Sequence, residues 1–142
     1  MENKICNASN TLENTLRNEK ENDKSFNKIC IVHYNCRGMT WGDRIYELER
    51  AVSKIDWDII RLSEIRREGE KLVRRKNGNY WYYCGERKGY RGVRLYIKGK
   101  IWSKVEAVKM VSERICGLKL AIGGGGECKL VIIQVYLSLI HI

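Results

Sequence analysis

From Lys28 onward the chain switches between two kinds of hydrophobic pattern. The run ICIVHYN (29–35) puts Ile29, Ile31, His33 and Asn35 on one side of an extended strand and Cys30, Val32 and Tyr34 on the other. Apolar side chains on both faces predict an internal strand. Between about Asp43 and Lys54 the period becomes helical, with Ile45, Leu48, Val52 and Ile55 on one side and Glu47, Glu49, Arg50 and Lys54 on the other. Thr40 followed by Asp43 resembles a capping pair for the start of this helix. Residues 57–64 (WDIIRLSE) return to an apolar extended run. A strand, a helix and a second strand make a β-α-β unit, whose strand ends, carrying Asn35 and Glu64, are expected side by side.

Past Glu64 the pattern weakens. The charged stretch REGEKLVRRKNGN has no clear period and reads as a loop with at most a short helix. Short strands are predicted at 80–84, 92–97, 104–111, 114–121 and 128–136, and the glycines from Gly123 to Gly126 turn the chain between the last two. One early helix followed by many strands predicts an α+β or α/β sandwich. Ahead of it, residues 1–27 hold seven Asn and nine charged residues with no sustained period, the signature of a disordered polar leader.

At 142 residues the chain has room for one domain with a real core, placed at 28–136. Charge adds to this picture. There are 27 Lys and Arg against 17 Asp and Glu, and residues 61–109 alone carry 15 basic and 5 acidic side chains, so the whole excess of +10 sits in that stretch. A concentrated basic segment suits a polyphosphate partner, because neutralising phosphates releases counterions. The six cysteines form no CxxC pair, and four lie in or beside apolar runs, so an intracellular, reduced protein is expected. Cys30, His33 and Cys36 are three apart, but odd spacing on a strand puts consecutive members on opposite faces, which disfavours zinc. No apolar run approaches the roughly 18 residues that span a bilayer, so no membrane partner is expected.

An acid and an amide at neighbouring strand ends suit a hard divalent cation, Mg²⁺ or Mn²⁺, which takes oxygen ligands and binds phosphate well. The order of motifs makes this more specific. Tyr34-Asn35-Cys36-Arg37-Gly38, an amphipathic helix, Asp58-Ile59-Ile60-Arg61-Leu62-Ser63-Glu64-Ile65-Arg66, the aromatic run YYCGE, Ser112-Glu113-Arg114 and a final LVIIQVY follow one another along the chain. This order resembles the endonuclease/exonuclease/phosphatase superfamily, and within it the endonuclease domain of LINE-type non-LTR retrotransposons, including craniofacial-development-protein-like sequences. The resemblance covers residues 28–136. It implies a four-layer α/β/β/α sandwich and a Mg²⁺-dependent phosphodiesterase that nicks target DNA so that a reverse transcriptase in the same polyprotein is primed. It also implies that Glu64 is the metal ligand and that Asn35 lies beside the metal and the scissile phosphate. DNA is then the partner and the nucleus the place of action. Arg37, Arg66 and Arg67 are candidate contacts to the DNA backbone, Tyr80 to Tyr83 could stack on bases with half of them in the core, and Ser112 to Arg114 is expected to be a structural turn.

Two departures from that pattern carry consequences. Arg94 stands where the family has Gly, so a bulky cation is expected either to strain the sheet or to snorkel outward. After Tyr136 the family's Ala-Pro-Thr, Asp-x-Asn and terminal Asp-His are missing, and no Asp follows Asp58. The domain is therefore expected to be truncated and inactive as written. The closing hexapeptide 137–142, LSLIHI, is what CTG TCT CTT ATA CAC ATC encodes, the end sequence of a transposase-based sequencing adapter, and is expected to be a foreign tail. Two other functions fit the same residues: a non-catalytic basic nucleic-acid-binding module, or a fragment of another superfamily member such as an abasic-site endonuclease or a phosphoesterase.

Overall fold

The computed structural model describes residues 28–36, 43–65, 69–85, 92–123, 125 and 127–137. The expected leader, the Thr40 cap, Arg37, Arg66, Arg67 and all but the first residue of the expected tail lie outside the described residues. Among the described residues, eight strands and two helices follow one another as β1 (Ile31–Asn35), α1 (Asp43–Val52), β2 (Ile59–Ile65), β3 (Gly69–Arg74), β4 (Tyr80–Gly85), β5 (Gly92–Ile97), α2 (Gly99–Trp102), β6 (Val105–Ser112), β7 (Ile115–Ile122) and β8 (Cys128–Val135). They build two sheets, one ordered β1-β2-β5-β4-β3 and the other β6-β7-β8. The fold is mostly β, with one ten-residue helix packed on the five-stranded sheet.

The expected β-α-β unit is present. β1 runs parallel to β2 with Ile31 opposite Ile59 and Asn35 opposite Ser63. Alternation along β2 then feeds two cores at once. Ile59 joins Tyr80, Tyr82, Val93, Leu95 and Ile97 against the second sheet, while Ile60 and Leu62 join Trp81 and Tyr96 against Ile45, Leu48 and Val52 of α1. The four-residue α2 carries the chain from one sheet to the other and buries Ile101 and Trp102 in the core between them, with Trp102 stacked 4.1 Å from Tyr80. Gly99 opens that turn, where a Cβ would come within 2.6 Å of the Gly78 carbonyl oxygen.

Four features differ from the pattern-based expectation. Residues 69–74, read as a loop, form β3, paired antiparallel with β4 from Gly69 opposite Gly85 to Arg74 opposite Tyr80. Its charged side chains find partners across the sheet: Glu70 accepts from the Tyr82 hydroxyl, and Arg74 lies over the Tyr80 ring. β1, read as internal, is an edge strand whose one neighbour among the described residues is β2, and Ile31 and Tyr34 are exposed. Arg94 neither strains the sheet nor snorkels. It is 2% exposed in β5, between Leu62 and Tyr83, with its guanidinium carbon 5.1 Å from the centroids of both the Trp81 and Tyr83 rings. The flat, weakly hydrated guanidinium tolerates burial where aromatic faces cover it.

The fourth difference is Glu49, which turns inward because it lies four residues after Ile45 and three before Val52, on the buried stripe. Its carboxylate accepts from Arg75 Nε at 2.7 Å, from the Trp81 indole N–H at 3.1 Å and, weakly, from the Tyr96 hydroxyl at 3.4 Å. One acid thus ties α1 to the β3-β4 hairpin and to β5. Burial raises the Glu49 carboxyl's pKa, but the hydrogen bonds from Arg75, Trp81 and Tyr96 outweigh it and hold the group below its ordinary range. Asp58 behaves alike: burial raises it, while the Cys30 N–H at 2.8 Å and Lys100 at 2.7 Å bring it below its ordinary range.

A carboxyl depressed in the folded state contributes stability above its unfolded pKa and loses it as pH falls through the folded value. Denaturant melts are therefore expected to show stability falling below about pH 4, the ordinary carboxyl range. Glu49→Gln should flatten part of that fall. Glu49→Ala at neutral pH should cost on the order of 2–4 kcal/mol, since it leaves Arg75 and the Trp81 N–H without their acceptor. A loss below about 0.5 kcal/mol, the range of an ordinary surface substitution, would show that the carboxylate does not anchor α1.

Candidate functional site

The parallel ladder of β1 and β2 sets the site. It continues one step past the last strand pair, through the Cys36 N–H bonded to the Ser63 carbonyl at 3.0 Å, so the two strand ends are fixed together. At β2's end the pairing with β5 slips: Ser63 faces Val93, Ile65 faces Gly92, and Glu64 between them is an extra residue. Glu64 has φ of 61°, the one positive value found on a non-glycine among the described residues. A bulge with a left-handed residue re-aims the side chain out of the strand's alternation. The cost for a residue with a Cβ is on the order of 1–2 kcal/mol, and such strain is often held at sites where it serves a function.

The re-aimed carboxylate meets two groups. Asn35 Nδ2 donates to Glu64 Oε1 at 3.2 Å, and the Tyr136 hydroxyl donates to the same oxygen at 3.0 Å. Tyr136 follows β8 and is itself buried. Its N–H bonds the Arg114 carbonyl at 2.9 Å, and Arg114 N–H in turn bonds Ser112 Oγ at 3.3 Å. The Ser112 to Arg114 segment is thus the turn it was expected to be, and it seats Tyr136 against Glu64. The pattern of residues pointed to Asn35 and Glu64. Tyr136 entered only as the end of a motif, and its signal was its place in phase with the buried Ile132 and Gln134 on β8.

Both hydrogen bonds fall on Oε1, and among the described residues Oε2 of Glu64 accepts none. One open carboxylate oxygen beside an amide fits Mg²⁺, which keeps most of its waters and takes one or two protein carboxylates together with substrate phosphates. No group of three or more His, Cys, Asp and Glu stands together among the described residues, so a dense protein cage of the zinc or calcium type is not formed there. Cys36 lies next to the site but is no nucleophile. Burial pushes its thiol up to about 11, a rise that Arg94 opposes and Glu64 reinforces, so it stays protonated at neutral pH.

Other candidates are placed elsewhere. Tyr80, Trp81, Tyr82 and Tyr83 are all buried, Tyr80 and Tyr82 in the core between the sheets and Trp81 in the core beneath α1, where it stacks 4.0 Å from Tyr96, so none is open for stacking on a base. A groove between β1 and α1, lined by Val32, Leu48, Val52 and Ile60 together with the charged Arg44 and Glu47, includes neither Asn35 nor Glu64. No helix among the described residues is long and apolar enough to cross a membrane. No family model matches the chain, and no curated protein matches it.

The positive φ inverts the usual order of substitutions at position 64. Glu64→Gly loses the two hydrogen bonds but relieves the backbone, whereas Glu64→Ala loses the bonds and keeps the strain. The glycine variant is expected to be more stable than the alanine variant by about 1 kcal/mol in chemical denaturation. Equal stability of the two would mean that position 64 is not held in the left-handed region.

Proposed function

We propose that the chain carries the first half of a Mg²⁺-dependent DNA endonuclease domain of the endonuclease/exonuclease/phosphatase type, from a LINE-like retrotransposon. The observation that carries this reading is the meeting of Asn35, Glu64 and Tyr136 at adjacent strand ends, with one carboxylate oxygen left open. Glu64 would hold the metal, which when bound supplies positive charge against the phosphate oxygens. Asn35 and Tyr136 fix the carboxylate, so it need not reorganise when substrate arrives. The proposed fourth layer of the sandwich is helical and covers the outer face of β6-β7-β8, where Val111, Val131, Ile133 and Val135 are exposed in this structure. Activation of the attacking water and protonation of the leaving oxygen need further acids and bases. No Asp follows Asp58 in these 142 residues. A nuclear site of action and a reverse transcriptase in the same polyprotein follow from this reading.

Supercoiled plasmid incubated with the chain and Mg²⁺ is expected to remain intact. The polypeptide extended by its downstream coding sequence is expected to nick it, and Glu64→Ala in that longer form should lower the rate at least about 100-fold, matching the several kcal/mol a metal contributes at phosphate. Nicking that survives Glu64→Ala, or an extended form that never nicks, would overturn the assignment. If the extended form binds DNA without nicking and regardless of Mg²⁺, the basic segment 61–109 serves a binding module instead.

A further inference from the structure

A second polar row lies behind the Asn35–Glu64–Tyr136 cluster: His33 and Gln134 are each two residues back from Asn35 and Tyr136, and Arg61 is two residues before Ser63, the partner of Asn35 in the ladder. His33 faces Arg61 across the β1-β2 ladder, and Gln134 sits two residues before Tyr136 on β8. The side-chain period of two puts His33 on Asn35's side of β1. His33 is exposed and Arg61 is half-buried, whereas Gln134 is 0% exposed. Arg61 Nε donates to Gln134 Oε1, spanning the space between the two sheets.

The chemistry of this row is one-sided. Arg61 carries a full positive charge into a partly desolvated position, yet the acceptor it has found is a neutral amide, and none of the ion pairs among the described residues includes it. Gln134 Nε2 is buried and donates to no group among the described residues. A half-buried cation without a counter-charge costs desolvation free energy that an anion recovers on binding. Gln134 takes the guanidinium's Nε edge, which leaves the paired Nη donors for a planar, two-point contact of the kind phosphate provides. The two polar rows are about 6.6 Å apart, two residues of strand rise, a span comparable to that between neighbouring phosphates on an extended single strand.

We propose that Arg61, oriented by Gln134, anchors a backbone phosphate one nucleotide away from the phosphodiester addressed by Asn35, Glu64 and Tyr136. The placement relative to the scissile bond rests on the phosphodiesterase reading of that cluster. The phosphate contact itself does not, because it needs no metal. A nucleic-acid strand is favoured over an acidic peptide because Arg61 opens the stretch 61–109, which holds the chain's entire excess of +10, and a strand offers a regular series of phosphates to it.

The test is binding of a short fluorescein-labelled oligothymidylate, about a dozen nucleotides, to the full chain in EDTA across a salt series. Gln134→Glu is the informative variant, since it gives Arg61 an internal counter-charge without removing it. Affinity at low salt should fall about tenfold and the salt slope by about 0.7, one phosphate contact on a single strand. The melting temperature should stay level or rise, so that lost binding is not lost folding. Arg61→Lys should keep the slope and lose affinity, because a point charge replaces a fork. Wild-type affinity and slope in Gln134→Glu would overturn the proposal, as would tighter binding of a poly-glutamate peptide than of the oligonucleotide. Nicking by the extended polypeptide is scored separately in Mg²⁺, so a failure there removes the nuclease reading and leaves the phosphate contact to be judged on the EDTA series.

Discussion

β2 is held on four sides at once. β1 and β5 flank it, Ile59 points into the core between the sheets, and Ile60 and Leu62 point into the core beneath α1. Because a strand's side chains alternate, a slip of one residue would push Ile60 and Leu62 toward the second sheet and Ile59 and Arg61 toward the helix. Two cores of different shape would both be violated. The register with β1 is therefore fixed, and that register places Asn35 opposite Ser63, one residue from Glu64. The geometry of the candidate site is a by-product of apolar packing several residues away from it.

The chain places its polar groups inside this frame in two ways. Glu49 and Asp58 are acids with donors arranged around them, and each fastens separate elements: Glu49 joins α1 to β4 and β5, and Asp58 joins the start of β1 to α2. Arg94 is a cation that lies over two aromatic faces, and Arg61 is one that donates to an amide. The contrast separates structure from function. The acids are met by cationic and N–H donors at the end of the sheet away from the site, whereas Glu64 Oε2 and the Arg61 guanidinium, without a charged partner among the described residues, lie on the strands that form the candidate site.

How far the sequence could be read depended on whether a residue's environment was local. The helix and the apolar strands β2, β4, β5, β7 and β8 were visible because their periods are set by burial on a regular lattice. β3 was invisible, since Glu70, Lys71 and Arg74 blur any alternation and are accommodated by Tyr82 and Tyr80 on a neighbouring strand. Glu49 was assigned to the wrong face on its charge, although its spacing from Ile45 and Val52 was sufficient to place it. The edge position of β1 depends on which strands pair, and so does the bulge at Glu64: an extra residue exists only relative to β5. Asn35 and Glu64 were legible as neighbours through the β-α-β connection. Their convergence with Tyr136, 72 residues further on, required knowing that the second sheet folds back over β2.

The bulge makes the site a detachable part of the fold. Glu64 takes no part in the β2-β5 register, which resumes at Ile65 opposite Gly92. Deleting that one residue would leave an unbroken β2-β5 ladder and relax a left-handed backbone, while removing the carboxylate to which the Tyr136 hydroxyl donates. The candidate site's carboxylate and the strand pairing are thus written in separate residues here, so the carboxylate can be lost in one step without any change in which strands pair.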